Sequence, residues 1–275
     1  MKISYISMQF PAPSETFASN DIKALCSLGY TIDVFSMKNK HTQHKELIKE
    51  RDLNNLDIYC ISKKEFFIGI LECLKKFLLF VNLFIWIVKS DYKRPLFLIK
   101  ILAFIPSSFY ILKQLEKTKP DIIHLFWGHY PSLVAYLVKN RLPKTKISIF
   151  LGAYDLAYSL GISKYICNIA DYIFTHTKIN IPALMKMGVV EEKINVVYRG
   201  TVVSFENTRN TRNTKIAHSF CSGGRLLKAK NFDNVIDVFH TYQKSFPDAR
   251  LKIFGDGPEK LNLMEHVNIL GFIII

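Results

Sequence analysis

The chain has 275 residues, 49% hydrophobic and 22% charged, which is enough for one large or two modest cored domains and excludes wholesale disorder. Its 37 Lys+Arg against 23 Asp+Glu leave a formal +14, a balance that favours anionic partners: phosphorylated small molecules, an acidic membrane face or nucleic acid. Twelve Gly and ten Pro exclude collagen-like or low-complexity architecture, and five scattered Cys with no Cys-x-x-Cys pair argue against a disulfide framework or a zinc site and fit a reducing compartment.

Lys2 to Ser7 reads as a first strand; the run turns polar too quickly for a signal peptide, so a cytoplasmic chain is expected. Thr16 to Leu28 reads as a helix, stopped by Gly29 where a left-handed cap is favoured. Thr31 to Ser36 is the second strand. From Glu65 to Leu115 the chain is unusually apolar: Phe77 to Val88 is nearly all hydrocarbon, and a second helix is expected from Pro95. A bilayer span needs about 20 such residues, so this run is too short to cross one. Two readings stay open. The two helices are buried against the sheet, or a face ringed by Lys75, Lys76, Lys89, Lys93, Arg94 and Lys100 lies on an anionic membrane.

Ile122 to Phe126 and Lys146 to Leu151 are continuous apolar strands, as expected where both faces of a parallel sheet are covered. Tyr172 to Thr175 and Ile194 to Tyr198 extend the series, with a helix ending at Gly188 between them. A first Rossmann-like domain over 1–203 follows from this α/β alternation. A polar linker is expected over 204–215, carrying Asn207 to Thr214. The rhythm restarts in 216–275 with a strand Ile216 to Cys221, a helix Phe232 to Phe246, a strand Arg250 to Phe254 and a turn Gly255 to Pro258.

The segment Gly223-Gly224-Arg225-Leu226-Leu227-Lys228-Ala229-Lys230 follows a strand and leads into a helix. Glycine lets backbone approach a ligand, and a helix N-terminus offers unpaired N–H groups to an anion. Arg225 and Lys230 are placed to converge on one diphosphate. His129 and Asp155 each follow the carboxyl end of a strand, where open α/β sheets bind ligands. His124, inside an apolar strand, reads as a core histidine with a backbone partner. No Gly-x-Gly-x-x-Gly follows the first strand and no P-loop occurs, which disfavours dinucleotide oxidoreductases and phosphotransferases. Nucleic acid has only the net charge in its favour.

Gly224-Arg225-Leu226 to Lys230, then Pro247-Asp248 and Gly255-Asp256-Gly257-Pro258, resembles the second-domain signature of glycosyltransferase family 4. Ser14-Glu15-Thr16-Phe17 is similar to the first-domain loop of its polysaccharide-assembling members. Asp121 to His124, Gly152 to Asp155 and Ala170-Asp171 also resemble family landmarks. The resemblance implies an α/β chain of GT-B type. It would transfer a sugar with retention, without bound metal, from a UDP- or GDP-sugar to a cell-surface polysaccharide, lipopolysaccharide or other lipid-linked acceptor, peripherally on the inner membrane face. Arg225 and Lys230 would hold the donor diphosphate and stabilise the leaving nucleotide, with Gly224, Gly271, Phe272 and Ile273 also donor contacts. Glu15 and Thr16 would approach donor or acceptor, and Asp155 and His129 the acceptor.

Departures accompany the match. Leu151 stands where the family often has His, Asn231 where it usually has Gly, and Gly200-Thr201-Val202 lacks an Asp. The sequence given stops before the family's acidic Glu-x7-Glu motif, so a shortened second domain is expected. The alternatives are an inactive remnant or a membrane-associated partner of another transferase.

Overall fold

The computed structural model describes residues 1–200 and 217–270. The expected linker 204–215 and the donor-contact positions Gly271, Phe272 and Ile273 lie outside the described residues. The chain divides into two compact units, Met1–Val202 and Val203–Ile275.

In chain order the first unit comprises β1 (Lys2–Ser7), α1 (Thr16–Ser27), β2 (Thr31–Ser36), α2 (His44–Glu50), β3 (Asp57–Cys60), α3 (Lys63–Lys75), α4 (Phe77–Asp91), α5 (Pro95–Leu102) and α6 (Ile105–Thr118). There follow β4 (Ile122–Phe126), α7 (Ser132–Arg141), β5 (Lys146–Phe150), α8 (Ala153–Tyr158), α9 (Gly161–Ile169), β6 (Tyr172–Thr175), α10 (Ile181–Lys186) and β7 (Ile194–Val196). All seven strands join one parallel sheet in the order β3-β2-β1-β4-β5-β6-β7. Strands β1, β2 and β5 are buried along nearly their whole length, because helices cover both faces. The order reverses between β1 and β4, and in an open α/β sheet that reversal opens a crevice at the carboxyl ends of the strands.

Two apolar clusters fill the faces. One gathers Ile6, Leu83, Ile87, Phe109, Leu125 and Ile149 under the middle helices; the other gathers Tyr5, Phe10, Ile22, Val34, Phe126 and Phe150 under α1. The segment expected to hold two helices holds four, and local chemistry sets the breaks. Ser62 and Glu65 close a capping box at the start of α3, Lys76 leaves helical geometry after it, and Pro95 and Pro106 open α5 and α6. Helix α3 packs tightly on α6: a Cβ on Gly69 would stand 2.0 Å from the Pro106 carbonyl oxygen. Strand β3, unmarked in the sequence reading, is a four-residue edge strand without an apolar run.

The second unit holds β8 (Ser219–Gly223), α11 (Phe232–Gln243), β9 (Arg250–Phe254) and α12 (Lys260–Ile269). Strands β8 and β9 pair in parallel from Ser219↔Arg250 to Gly223↔Phe254, making a β-α-β unit with α11. Helix α11 stops at Gln243 rather than Phe246, since the residue before Pro247 is pushed out of helical backbone.

Candidate functional site

The carboxyl edge of the first sheet is built from the loops after β1, β4, β5, β6 and β7. After β4, Trp127 has a backbone φ of 82°, a left-handed conformation that a bulky side chain adopts only under strain, on the order of 1–3 kcal/mol. Its ring lies against the next loop, where a Cβ on Gly152 would be 2.3 Å from ring Cζ3. Only glycine admits that approach.

Asp155 ties these two loops together. Its Oδ1 accepts the Gly128 N–H at 2.9 Å and its Oδ2 accepts the Gly152 N–H at 3.0 Å, and its side chain is 1% exposed. His129 Nδ1 stands 3.4 Å from the same Oδ1, with its ring 30% exposed. The Gly128 carbonyl accepts from the hydroxyls of Ser132 and Ser163. So of the two residues expected near an acceptor, Asp155 is a buried bridge and His129 is the group that faces out. His124 is a correction: its partner is the Ser148 hydroxyl, 2.8 Å from Nδ1, not a backbone group, and its ring sits 4.7 Å from that of Tyr5. Burial lowers its pKa to about 4, so it is neutral at ordinary pH.

After β1, Glu15 turns inward. Both of its oxygens accept from Ser7 Oγ at 3.0 Å, and burial raises its pKa to about 7 against the opposing effects of the Ser7 bond and the Arg51 charge. Arg51 clamps the loop by donating to the Ala12 and Pro13 carbonyls and to Ser19 Oγ. Thr16 is exposed.

Three further groups meet here that the sequence reading did not single out. The Arg199 guanidinium lies 4.2 Å from the Phe150 ring centroid and 4.5 Å from that of Phe17, with Phe126 and Trp127 slightly farther. Its Nε and Nη2, the pair that forms a bidentate fork, have no partner among the described residues, and neither do His176 Nδ1 and the Tyr5 hydroxyl. Burial holds both the Arg199 and the His176 pKa below their usual ranges, and the Arg199 charge lowers His176 further. His176 directly follows β6, as His129 stands three residues past β4, and Arg199 follows the run Ile194 to Tyr198; that position was the available signal.

In the second unit, the two sequence motifs meet in space. Gly224 N–H donates to the Phe254 carbonyl, Leu226 N–H to that of Asp256, and Glu259 N–H to that of Leu226. Buried Leu226 anchors the loop, while Arg225 and Lys230 remain exposed at its surface. Gly257 is required at this crossing, since a Cβ there would stand 2.4 Å from the Leu226 carbonyl oxygen. Asn231 has φ 60°, a left-handed conformation that Asn tolerates. It begins α11, whose first-turn N–H groups follow directly on Lys230.

No family model and no curated protein matches this sequence. Solved structures match its fold. A lipopolysaccharide outer core galactosyltransferase, WaaB, superposes with a TM-score of 0.59 at 18% identity, over 98% of this chain and 65% of that one. HepE of Anabaena, solved with UDP, gives a TM-score of 0.62 at 13% identity, over 98% and 66%. The UDP-GlcNAc 2-epimerase of Methanocaldococcus jannaschii gives 0.52 at 16%, over 98% and 68%. This chain therefore spans about two thirds of the length of the proteins it resembles. Its fold is α/β with a parallel seven-stranded Rossmann-like sheet, of the GT-B type.

Proposed function

We propose that the protein belongs to a retaining sugar transferase of glycosyltransferase family 4 type, taking a UDP-sugar and delivering the sugar to a polysaccharide or lipid-linked acceptor. The observation that carries the reading is the second-unit loop, where the Gly-Arg-Leu and Gly-Asp-Gly-Pro motifs are hydrogen-bonded together at the start of α11. Two exposed cations, Arg225 and Lys230, stand on a braced loop beside unpaired helix N–H groups, a combination suited to a diphosphate. The likeness to WaaB and to HepE with UDP supports the same donor class.

In the reaction, the bond between the anomeric carbon and the UDP oxygen breaks while an acceptor hydroxyl bonds to that carbon on the same face and gives its proton to the departing diphosphate oxygen. Arg225 and Lys230 neutralise the charge that grows on the departing diphosphate, an effect realised most strongly in the transition state. On the first unit, His129, held by Asp155, and the Arg199 fork, unpartnered among the described residues, are the polar groups offered to an acceptor. The epimerase likeness favours a second reading, C2 epimerisation of a UDP-sugar on the same fold.

The test is incubation of the protein with UDP-sugars and lipid-linked glycan acceptors, followed by NMR of the products. A new glycosidic bond of the donor's anomeric configuration supports the proposal. An inverted linkage removes retention, and a C2 epimer without transfer favours the second reading.

A further inference from the structure

Among the described residues of the first unit, half of the exposed large apolar side chains lie between Phe66 and Ile99. On α3 and α4, Ile70, Leu74, Phe77 and Phe84 flank an apolar groove of about 330 Å³, floored by Cys73 and Ile105. Leu78 is 79% exposed and, on α5, Leu96 is 76% exposed. An apolar face of this kind on a folded unit marks an interaction surface.

The charges around it have one sign. The stretch 61–104 contains three acids, and each has partners of its own in the fold. Glu65 accepts from Ser62 in the α3 cap. Glu72 is buried under Lys76 and Lys113, at 3.0 Å from each, and is pulled down to about 2 by those cations despite its burial. Asp91 caps α9 by accepting the N–H groups of Gly161 and Ile162. Outward stand Lys63, Lys64, Lys75, Lys89, Lys93, Arg94 and Lys100, all exposed.

We propose that α3, α4 and α5 form a docking face for an anionic phospholipid bilayer, the apolar side chains entering the acyl boundary and the lysines meeting the headgroups. The inference stands on the first unit alone and does not depend on the transferase reading. No single helix among the described residues is long and apolar enough to cross a membrane, so the face lies on it. The bent pair α5–α6 also stays out of the bilayer, because Phe109, Ile111, Leu112 and Leu115 of α6 are core residues. A second copy of the chain fits less well, since two such faces would oppose lysine to lysine.

Flotation of the full chain with vesicles tests this. Binding is expected to phosphatidylglycerol–phosphatidylcholine vesicles, to be weak on phosphatidylcholine alone, and to fall steeply in about 0.5 M NaCl. The triple variant Lys64→Glu, Lys89→Glu, Lys93→Glu should lower partitioning by a factor on the order of 100 or more. Leu78→Ser with Leu96→Ser should lower it at every salt concentration, and circular dichroism of both variants should match the parent. Equal binding to both vesicle types, or unchanged binding by the charge-reversed variant, overturns the proposal. So does a stable dimer in solution that Leu78→Ser dissociates.

Discussion

Glu15 and His124 titrate in opposite directions on folding. Glu15 moves up to about 7, so between its unfolded value near 4.5 and 7 the folded state holds the extra proton, and stability falls as pH rises through that window. His124 moves down to about 4, so stability falls as pH drops from about 6.5 toward 4. The two slopes oppose each other in the parent protein. Glu15→Gln should therefore leave an unfolding free energy that rises with pH from 4 to 6.5, and should gain on the order of 3 kcal/mol relative to the parent on going from pH 4 to 8. Urea unfolding at several pH values checks this; a variant profile parallel to the parent's contradicts it. Asp155→Asn turns an amide N–H₂ toward one of two backbone N–H donors and should cost about 1–3 kcal/mol, whereas His129→Gln, at a partly exposed ring, should change stability by less than about 0.5 kcal/mol. Thermal unfolding separates them. His129 and Asp155 were legible as candidates because each follows an apolar strand. The bridging place of Asp155 was not, because it needs β4 and β5 side by side. Arg199 was hidden for the same reason: the rings around it come from α1, β4 and β5.

At the scale of elements, periodicity located β1, β2, β4 and β6 to the residue, since buried parallel strands are short runs of apolar side chains. It missed β3, half-exposed at the sheet edge, left α3 unassigned beside the more apolar Phe77 to Val88, and ran the helix from Pro95 through the break before Pro106, because the capping box, Lys76 and Pro106 act over one or two residues inside a continuous apolar pattern. The tight crossing of α3 on α6 gives a direct check. Gly69→Ala sets a methyl against the Pro106 backbone, which cannot move aside as a side chain would, and should destabilise by about 1–3 kcal/mol. Urea unfolding checks this, and an unchanged unfolding free energy for Gly69→Ala would contradict the close crossing.

For the whole molecule, two features of the sequence carry separate consequences. Part of the +14 charge falls in two places, eight Lys and Arg against three acids over 61–104 and the three cations Arg225, Lys228 and Lys230 of the second-unit loop. The second unit was legible through its motifs rather than its periodicity, and the hydrogen bonds from Gly224 and Leu226 to Phe254 and Asp256 explain why those motifs occur together: each is the other's support. The measurement that bears most directly on the donor site is calorimetric titration of UDP into the parent chain, Arg225→Ala and His129→Gln. UDP should bind the parent, bind Arg225→Ala more weakly by about 1.5–3 kcal/mol, and bind His129→Gln as it binds the parent. Equal affinity for the parent and Arg225→Ala, or no UDP binding by the parent, would contradict the assignment of the diphosphate to that loop.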